Sequence, residues 1–185
     1  MKEEKDLTIN NDNLDLLILG VAQGNEEKFA ELYKQTSTSI YSYALSFVKN
    51  RYDAEDIMHD CYIKVYNCAA EYRSQGKPMA WMITITKNLC LQKIKDAKKL
   101  DPLDLESLDM ESEGNTSLNI EDKFLIESCI NSLSPEESQI LILHVVVGFK
   151  HREIAEELNL PISTVLSKYN RAVKKLKNKF AEDCN

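Results

Sequence analysis

The chain has 185 residues and a formal net charge of −7, with 43% hydrophobic residues but only five glycines and four prolines. That length allows one domain or two small ones, and the scarcity of turn residues beside long helical periodicities predicts an all-α fold. No apolar run approaches the ~18 residues of a membrane span, and MKEEKDLTINN lacks the apolar centre of a signal peptide, so the expectation is a cytoplasmic protein without membrane insertion.

The charge is unevenly placed. Residues 1–100 carry 14 basic and 14 acidic groups, residues 101–147 one against 11, and residues 148–185 eight against five. The acidic excess is central and leaves a basic end. The five cysteines, Cys61, Cys68, Cys90, Cys129 and Cys184, form no C-x-x-C pair, which argues against a disulfide framework or a zinc site. Cys61, Cys90 and Cys129 read as small core residues, and Cys184 as exposed. No metal or cofactor is expected.

In chain order, residues 1–12 read as a polar, disordered tail. Leu14, Leu16, Leu17 and Leu19 predict a short helix from Asn13 to Val21, broken by Gly24. Asn25 suits an N-cap, and Phe29, Leu32, Tyr33, Ile40, Tyr41, Ala44, Phe47 and Val48 continue at helical spacing to about Lys49. Asp53 can cap the next helix. There Ala54, Ile57, Met58, Cys61, Tyr62, Val65 and Tyr66 form an apolar stripe, with Glu55, Asp56, His59 and Asp60 opposite. Such an acidic face is either simply solvated or a docking surface for a basic partner.

Residues 67–78 read as a loop holding Tyr72, Arg73 and Lys77. Pro78 opens a helix with Trp81, Ile85 and Leu89 four apart and a basic second half. Cations among aromatics suit single-stranded nucleic acid, although a lone Trp at helical spacing also fits a core. From Asp101 to Ile120 there are six acidic residues, no basic ones, and fading periodicity, the marks of a linker. A helix can begin after Asn119. Ser134, Pro135 and Glu137 then supply an N-cap, an N1 proline and a capping-box glutamate for a buried helix ended by Gly148.

Phe149 to Leu176 reads as two helices joined by a tight turn. Ile154, Ala155 and Leu158 share a face of the first. Asn159 tolerates the left-handed backbone of a helix stop, and Pro161 suits the first position of the second. Ile162, Val165, Tyr169, Val173 and Leu176 recur at helical spacing, which completes a helix-turn-helix pattern. The second helix turns outward Ser163, Thr164, Ser167, Lys168, Asn170 and Arg171, groups that contact bases and phosphates, and Lys174 and Lys175 follow. From Ile162 to Phe180 there are six basic residues and no acidic one. An ordinary hairpin with a solvated polar face is the competing reading.

Together these stretches resemble a family. Glu27–Tyr33 with Ile40–Ala44, Asp53–Tyr66 with Ala80-Trp81 and Asn88-Leu89, and Leu133–Glu137 with Gly148, Glu153–Ala155, Pro161, Thr164-Val165 and Arg171-Ala172 are similar to a two-domain bacterial sigma factor of the extracytoplasmic-function type. The likeness covers most of residues 13–180. It implies a region 2 domain at 13–99, a linker at 100–120 and a region 4 helix-turn-helix domain at 121–183. It implies that Asp53, Asp56 and Asp60 dock on core RNA polymerase. Tyr72, Arg73, Lys77, Trp81, Lys87 and Asn88 would take the unpaired downstream promoter element. Ser163, Thr164, Ser167, Lys168, Arg171, Lys174 and Lys175 would read the upstream element. Promoter DNA and an anti-sigma factor are the other implied partners. The sequence departs from the family at His59-Asp60, where Gln-Glu is usual, at Gln92 and at Leu166. The alternatives are a stand-alone helix-turn-helix regulator whose first domain binds a protein or small molecule, and a sigma-like protein without promoter melting. No feature suggests an enzyme.

Overall fold

The computed structural model describes residues 11–97 and 120–183, with side chains at 11–97 and 123–181. Among the described residues the fold is all-α. Eight helices follow in order: α1 (Asn11–Ala22), α2 (Glu26–Val48), α3 (Arg51–Cys68), α4 (Pro78–Ala97), α5 (Ile120–Asn131), α6 (Pro135–Val145), α7 (His151–Leu158) and α8 (Ile162–Asp183). A 3₁₀ turn at Ala69–Glu71 follows α3. The expected linker and Cys184 lie outside the described residues, as do residues 1–10 of the expected tail; Asn11 and Asp12 are helical.

Local chemistry explains most boundaries. Asn25 caps α2 by accepting from the Lys28 N–H at 3.0 Å. Ser134 and Glu137 form the reciprocal capping box of α6, with Pro135 in its first turn. Asn159 ends α7 in the left-handed region, at φ 52°. Two further starts differ from expectation. Asn50, not Asp53, caps α3, accepting from the N–H groups of Tyr52 and Asp53 at 2.9 and 3.1 Å. Pro161 lies one residue before α8, where its carbonyl accepts from Thr164 and Val165.

The first core joins Leu14, Leu17 and Ile18 of α1 with Leu32, Ile40 and Leu45 of α2. Ile57, Met58 and Cys61 of α3 and Met79, Met82 and Ile83 of α4 complete it, all buried. The core continues without a break into Ile140, Ile142 and Leu143 of α6, because α6 packs directly on α2. The α3 stripe holds except at Tyr66, which is half exposed, and in α8 Ile162 is exposed while Ala172 is fully buried against Leu133 and Leu141. Burial pushes the Cys61 thiol up to about 11 against an opposing Thr86 hydroxyl, and the Cys90 thiol up to about 12. Both thiols therefore stay protonated, as core residues would.

The seam between the two halves is unusually polar. Ser39, Ser42, Tyr43 and Ser46 share one face of α2 by their i, i+3, i+4 and i+7 spacing, and all are buried. Ser39 donates to the Val146 carbonyl at 3.3 Å and Ser138 to the Ser46 carbonyl at 3.4 Å, both long. The hydroxyls of Ser42 and Tyr43 have no hydrogen-bond partner. A buried polar group left unpaired costs about 1–3 kcal/mol. Stronger contacts offset this. Lys49, itself left-handed at φ 56°, ends α2 and donates its ammonium to the carbonyls of Ile130, in the last turn of α5, and Leu133, just past it, at 3.0 and 2.7 Å. Glu55 and Lys123 form a buried ion pair at 2.9 Å.

Candidate nucleic-acid interface

The acidic helix α3 presents Asp56 and Asp60 as exposed and Asp53 as half exposed, because Ala54, Ile57, Cys61 and Val65 take its buried side. Lys93 of α4 sits between Asp53 and Asp56, at 2.9 and 3.1 Å. Desolvation lowers the Lys93 ammonium, but the two carboxylates outweigh it and hold it above its ordinary value. Glu55, expected on this face, is instead buried against Lys123. Further along α3, an apolar groove of ≈ 380 Å³ opens between Phe29, Tyr33, His59, Tyr62, Ile63 and Tyr66. Sequence reading missed it because Ile63 falls off the apolar stripe and Tyr66 was assigned to the core.

The loop before α4 is only partly as expected. Arg73 and Lys77 are exposed. Tyr72 is not free: it is 6% exposed, its hydroxyl donates to Asp15, and its ring lies 4.7 Å from that of Trp81. Ser74 donates to the other oxygen of Asp15 at 2.8 Å. The cause is a buried carboxylate on α1 that draws the loop inward; burial first, then Asp15, pushes the Tyr72 phenol up, so it stays a donor. Trp81 is half-buried under Tyr72 and Asn88 is exposed. Lys87 is drawn to the second half, where it donates to the Glu157 carbonyl at 2.8 Å and pairs with its carboxylate at 3.2 Å.

On α8, Ser163 and Ser167 are exposed and Thr164 is half-buried; Ser167 donates back to the Thr164 carbonyl at 2.9 Å. The basic residues divide in a way the sequence does not show. Lys168 pairs with Glu136, Lys175 with Glu137 at 2.6 Å, and Arg171 lies 4.0 Å from Glu137. Burial pushes the Glu137 carboxyl up. Lys175 and the Ser134 donors outweigh that and hold it below its ordinary value. Lys174 is exposed and forms no ion pair among the described residues. Beneath α8, the rings of His144 and His151 stack at 4.2 Å and both meet Tyr169 edge-on at 4.9 Å. His144 Nδ1 bonds the Phe149 carbonyl at 2.8 Å.

Residues 32–100 match the model for Sigma-70 region 2, and residues 123–176 the model for Sigma-70, region 4. The order of the two matches is that of the acidic helix and the helix-turn-helix. The chain belongs to the sigma-70 family, of the extracytoplasmic-function type. It is a sigma factor that directs transcription initiation. It is 21% identical over 174 residues to the ECF RNA polymerase sigma factor SigK of Mycobacterium ulcerans, covering 90% of this chain and 93% of that one. To the SigK of Mycobacterium tuberculosis strain CDC 1551 it is 22% identical over 179 residues, covering 90% and 92%. Its fold is similar to that of CnrH in complex with the cytosolic domain of CnrY, with TM-score 0.60, 19% identity and coverage of 93% and 99%. It is also similar to the sigma factor RpoE in complex with the anti-sigma factor NepR from Bartonella quintana, with TM-score 0.57, 21% identity and coverage of 82% and 96%. No described helix of the sigma factor is long and apolar enough to cross a membrane, and no described group of three or more side chains is placed to hold a metal ion.

Proposed function

We propose a division of labour in which residues 13–99 dock on core polymerase and hold unpaired promoter DNA, while residues 121–183 read duplex DNA and 100–120 link them. Asp53, Asp56 and Asp60 form the docking face. Arg73, Lys77 and Asn88 contact the single strand directly. Trp81 and Tyr72 support that loop from beneath, and Lys87 joins the strand surface when released from Glu157. On α8, Ser163, Thr164 and Ser167 face bases, and Lys168, Arg171, Lys174 and Lys175 face phosphates. The protein works in the cytoplasm by binding, not catalysis, and an anti-sigma protein is a partner, as NepR is of RpoE.

The observation that carries the reading is the acidic side of α3: Asp56 and Asp60 are exposed, although Lys93 was available to neutralise only one end of the row. Reversing a charge in a docking row places like charges together, which costs several kcal/mol of binding. Asp56→Arg is therefore expected to reduce co-elution with core polymerase at least tenfold. Its stability should fall by no more than about 1 kcal/mol, the worth of an exposed ion pair such as the one with Lys93, which Asp53 still holds. Wild-type affinity together with wild-type stability would refute the docking face.

A further inference from the structure

The structure divides α8 into three faces. Val165 and Ala172 are fully buried and Tyr169 packs on His144 and His151, so these residues mark the side turned to the fold. Lys168, Arg171 and Lys175 mark the flank beside α6, where Glu136 and Glu137 stand. At about 100° per residue, the remaining side is a stripe of Ser163, Leu166, Ser167, Asn170 and Lys174, spaced i, i+3, i+4, i+7 and i+11. All five are exposed.

The first four residues of that stripe carry no charge. One of them, Leu166, is an apolar side chain 42% exposed among polar neighbours, and it stands where this sequence departs from its family. The Asn170 carboxamide has no hydrogen-bond partner among the described residues, so both its donor and its acceptor are free for a ligand.

We propose that Leu166 and Asn170 set the base preference of this sigma factor: Leu166 against the C5-methyl group of a thymine and Asn170 on N6 and N7 of an adenine, so that A·T pairs mark the duplex element it reads. This rests on the assignment of α8 to duplex DNA. In the major groove the thymine methyl is the one apolar group on a base edge, and every other group there is a donor or an acceptor that a leucine leaves unpaired. A carboxamide offers a donor and an acceptor side by side, and adenine presents their complement, N7 accepting and N6 donating. Guanine instead presents two acceptors, which suit a cation. The stripe supplies no cation before Lys174, well past the N-terminal residues of a recognition helix that reach bases. A leucine in this place therefore rejects guanine as well as selecting thymine, because O6 or N7 facing it loses water and gains no donor. The two residues lie four apart, about 6 Å along the helix axis, so their contacts fall within about two base-pair steps of each other.

The test uses the full chain assembled with core polymerase and a pool of duplexes with a randomised stretch, from which bound duplexes are recovered and sequenced. In the selected duplex each thymine is replaced in turn by deoxyuridine, which deletes only the methyl group, and each adenine by 7-deazaadenine, which deletes N7. One deoxyuridine should weaken wild-type binding about 2–5-fold, the worth of one buried methyl, and should not weaken Leu166→Ala further. One 7-deazaadenine should weaken wild type and leave Asn170→Ala unchanged, and Asn170→Ala should lose about 5–100-fold of discrimination at that adenine. Leu166→Arg supplies the missing cation and should move the preferred base at the Leu166 contact from thymine to guanine. Both positions are exposed, so all three variants should unfold at the wild-type urea midpoint. Each contact is judged on its own analogue: if every deoxyuridine effect persists at full size in Leu166→Ala, the thymine contact is refuted, and if every 7-deazaadenine effect persists in Asn170→Ala, the adenine contact is. If neither residue alters the selected element while Ser163→Ala with Ser167→Ala does, the proposal is wrong and α8 remains the reader. If none of these variants alters the selection, α8 does not read bases, and the proposal falls with that assignment.

Discussion

The hydrogen bond from Tyr72 to Asp15 offers the sharpest test of how the loop before α4 is held. The Asp15 carboxylate is only 9% exposed and is served by two loop donors, the Tyr72 hydroxyl and the Ser74 hydroxyl at 2.8 Å. Tyr72→Phe removes one donor and keeps the ring against Trp81. A hydrogen bond to a charged group contributes about 1.5–3 kcal/mol. At roughly 2–4 °C per kcal/mol for a chain of this length, the melting temperature should fall by about 3–12 °C. Tyr72→Ala also loses the ring, and large-to-small core changes of this kind cost about 3–5 kcal/mol. The assay is urea unfolding of both variants beside wild type, with an unchanged denaturant slope showing that the same unfolding is observed. The structural role is then separated from a DNA-contacting one by permanganate reactivity of promoter thymines in complexes with core polymerase. Under the structure's placement, Tyr72→Phe keeps promoter opening when assayed well below its melting temperature. The pair Arg73→Ala with Lys77→Ala reduces opening at near wild-type stability. If Tyr72→Phe unfolds at the wild-type midpoint, Asp15 does not hold the loop, and the tyrosine is free to stack on a base as the sequence suggested.

Two further outcomes follow from the second half. Burial, and then the neighbouring His144, hold His151 below its ordinary value of 6.5, so the unfolded chain takes up that proton first. This contribution to stability is complete above about pH 6.5 and is lost as pH falls through 6.5 towards the folded value. His151→Phe should reduce the drop in urea midpoint between pH 7.5 and 5.5, and an identical drop in both proteins would refute it. On α8, Lys174→Ala should flatten the log–log salt dependence of duplex binding by about 0.9, one phosphate contact, without loss of stability. Lys175→Ala should lower stability as well, because it strips the 2.6 Å partner from Glu137; equal stability of the two variants would contradict the pairing.

Helix identity and most helix ends were legible because their causes are local. Asn25, the box of Ser134 and Glu137, Gly148 and Asn159 act on backbone groups within a few residues, so the sequence states them directly. The start of α3 was misplaced by three residues for a related reason. Arg51 and Tyr52 carry no apolar periodicity, which made Asp53 look like the first helical signal while Asn50 did the capping. The misread side chains are those whose partners lie far along the chain. Tyr72 answers to Asp15, 57 residues away, and Glu55 to Lys123, 68 away. Periodicity on α3 places Glu55 among polar neighbours and contains nothing about a lysine on α5. The packing of α6 on α2 was equally out of reach, since nothing in the spacing of the serines along α2 names the helix that covers them.

The recognition helix shows the same division within one element. Its amphipathic pattern correctly turned Ser163, Ser167, Arg171, Lys174 and Lys175 outward, and the absence of acidic residues from Ile162 to Phe180 suggested a row of free cations. That inference looked along α8 only. Glu136 and Glu137 stand at the first turn of α6, where a capping box and the helix dipole both favour carboxylates. Packing α6 against α8 brings those carboxylates under Lys168, Arg171 and Lys175. Glu137 is 4% exposed, and its position below the ordinary carboxylate range means it stays charged and keeps its hold on Lys175. Of the three, Lys175 and Lys168 are restrained by direct pairs, so less side-chain freedom is left to lose when either meets a phosphate, but each must share its charge with a carboxylate already present. Lys174 carries neither restraint. If these cations face phosphates as proposed, the helix offers two kinds of contact, positioned and free, and the carboxylates that create the difference, Glu136 and Glu137, stand in the first turn of a neighbouring helix.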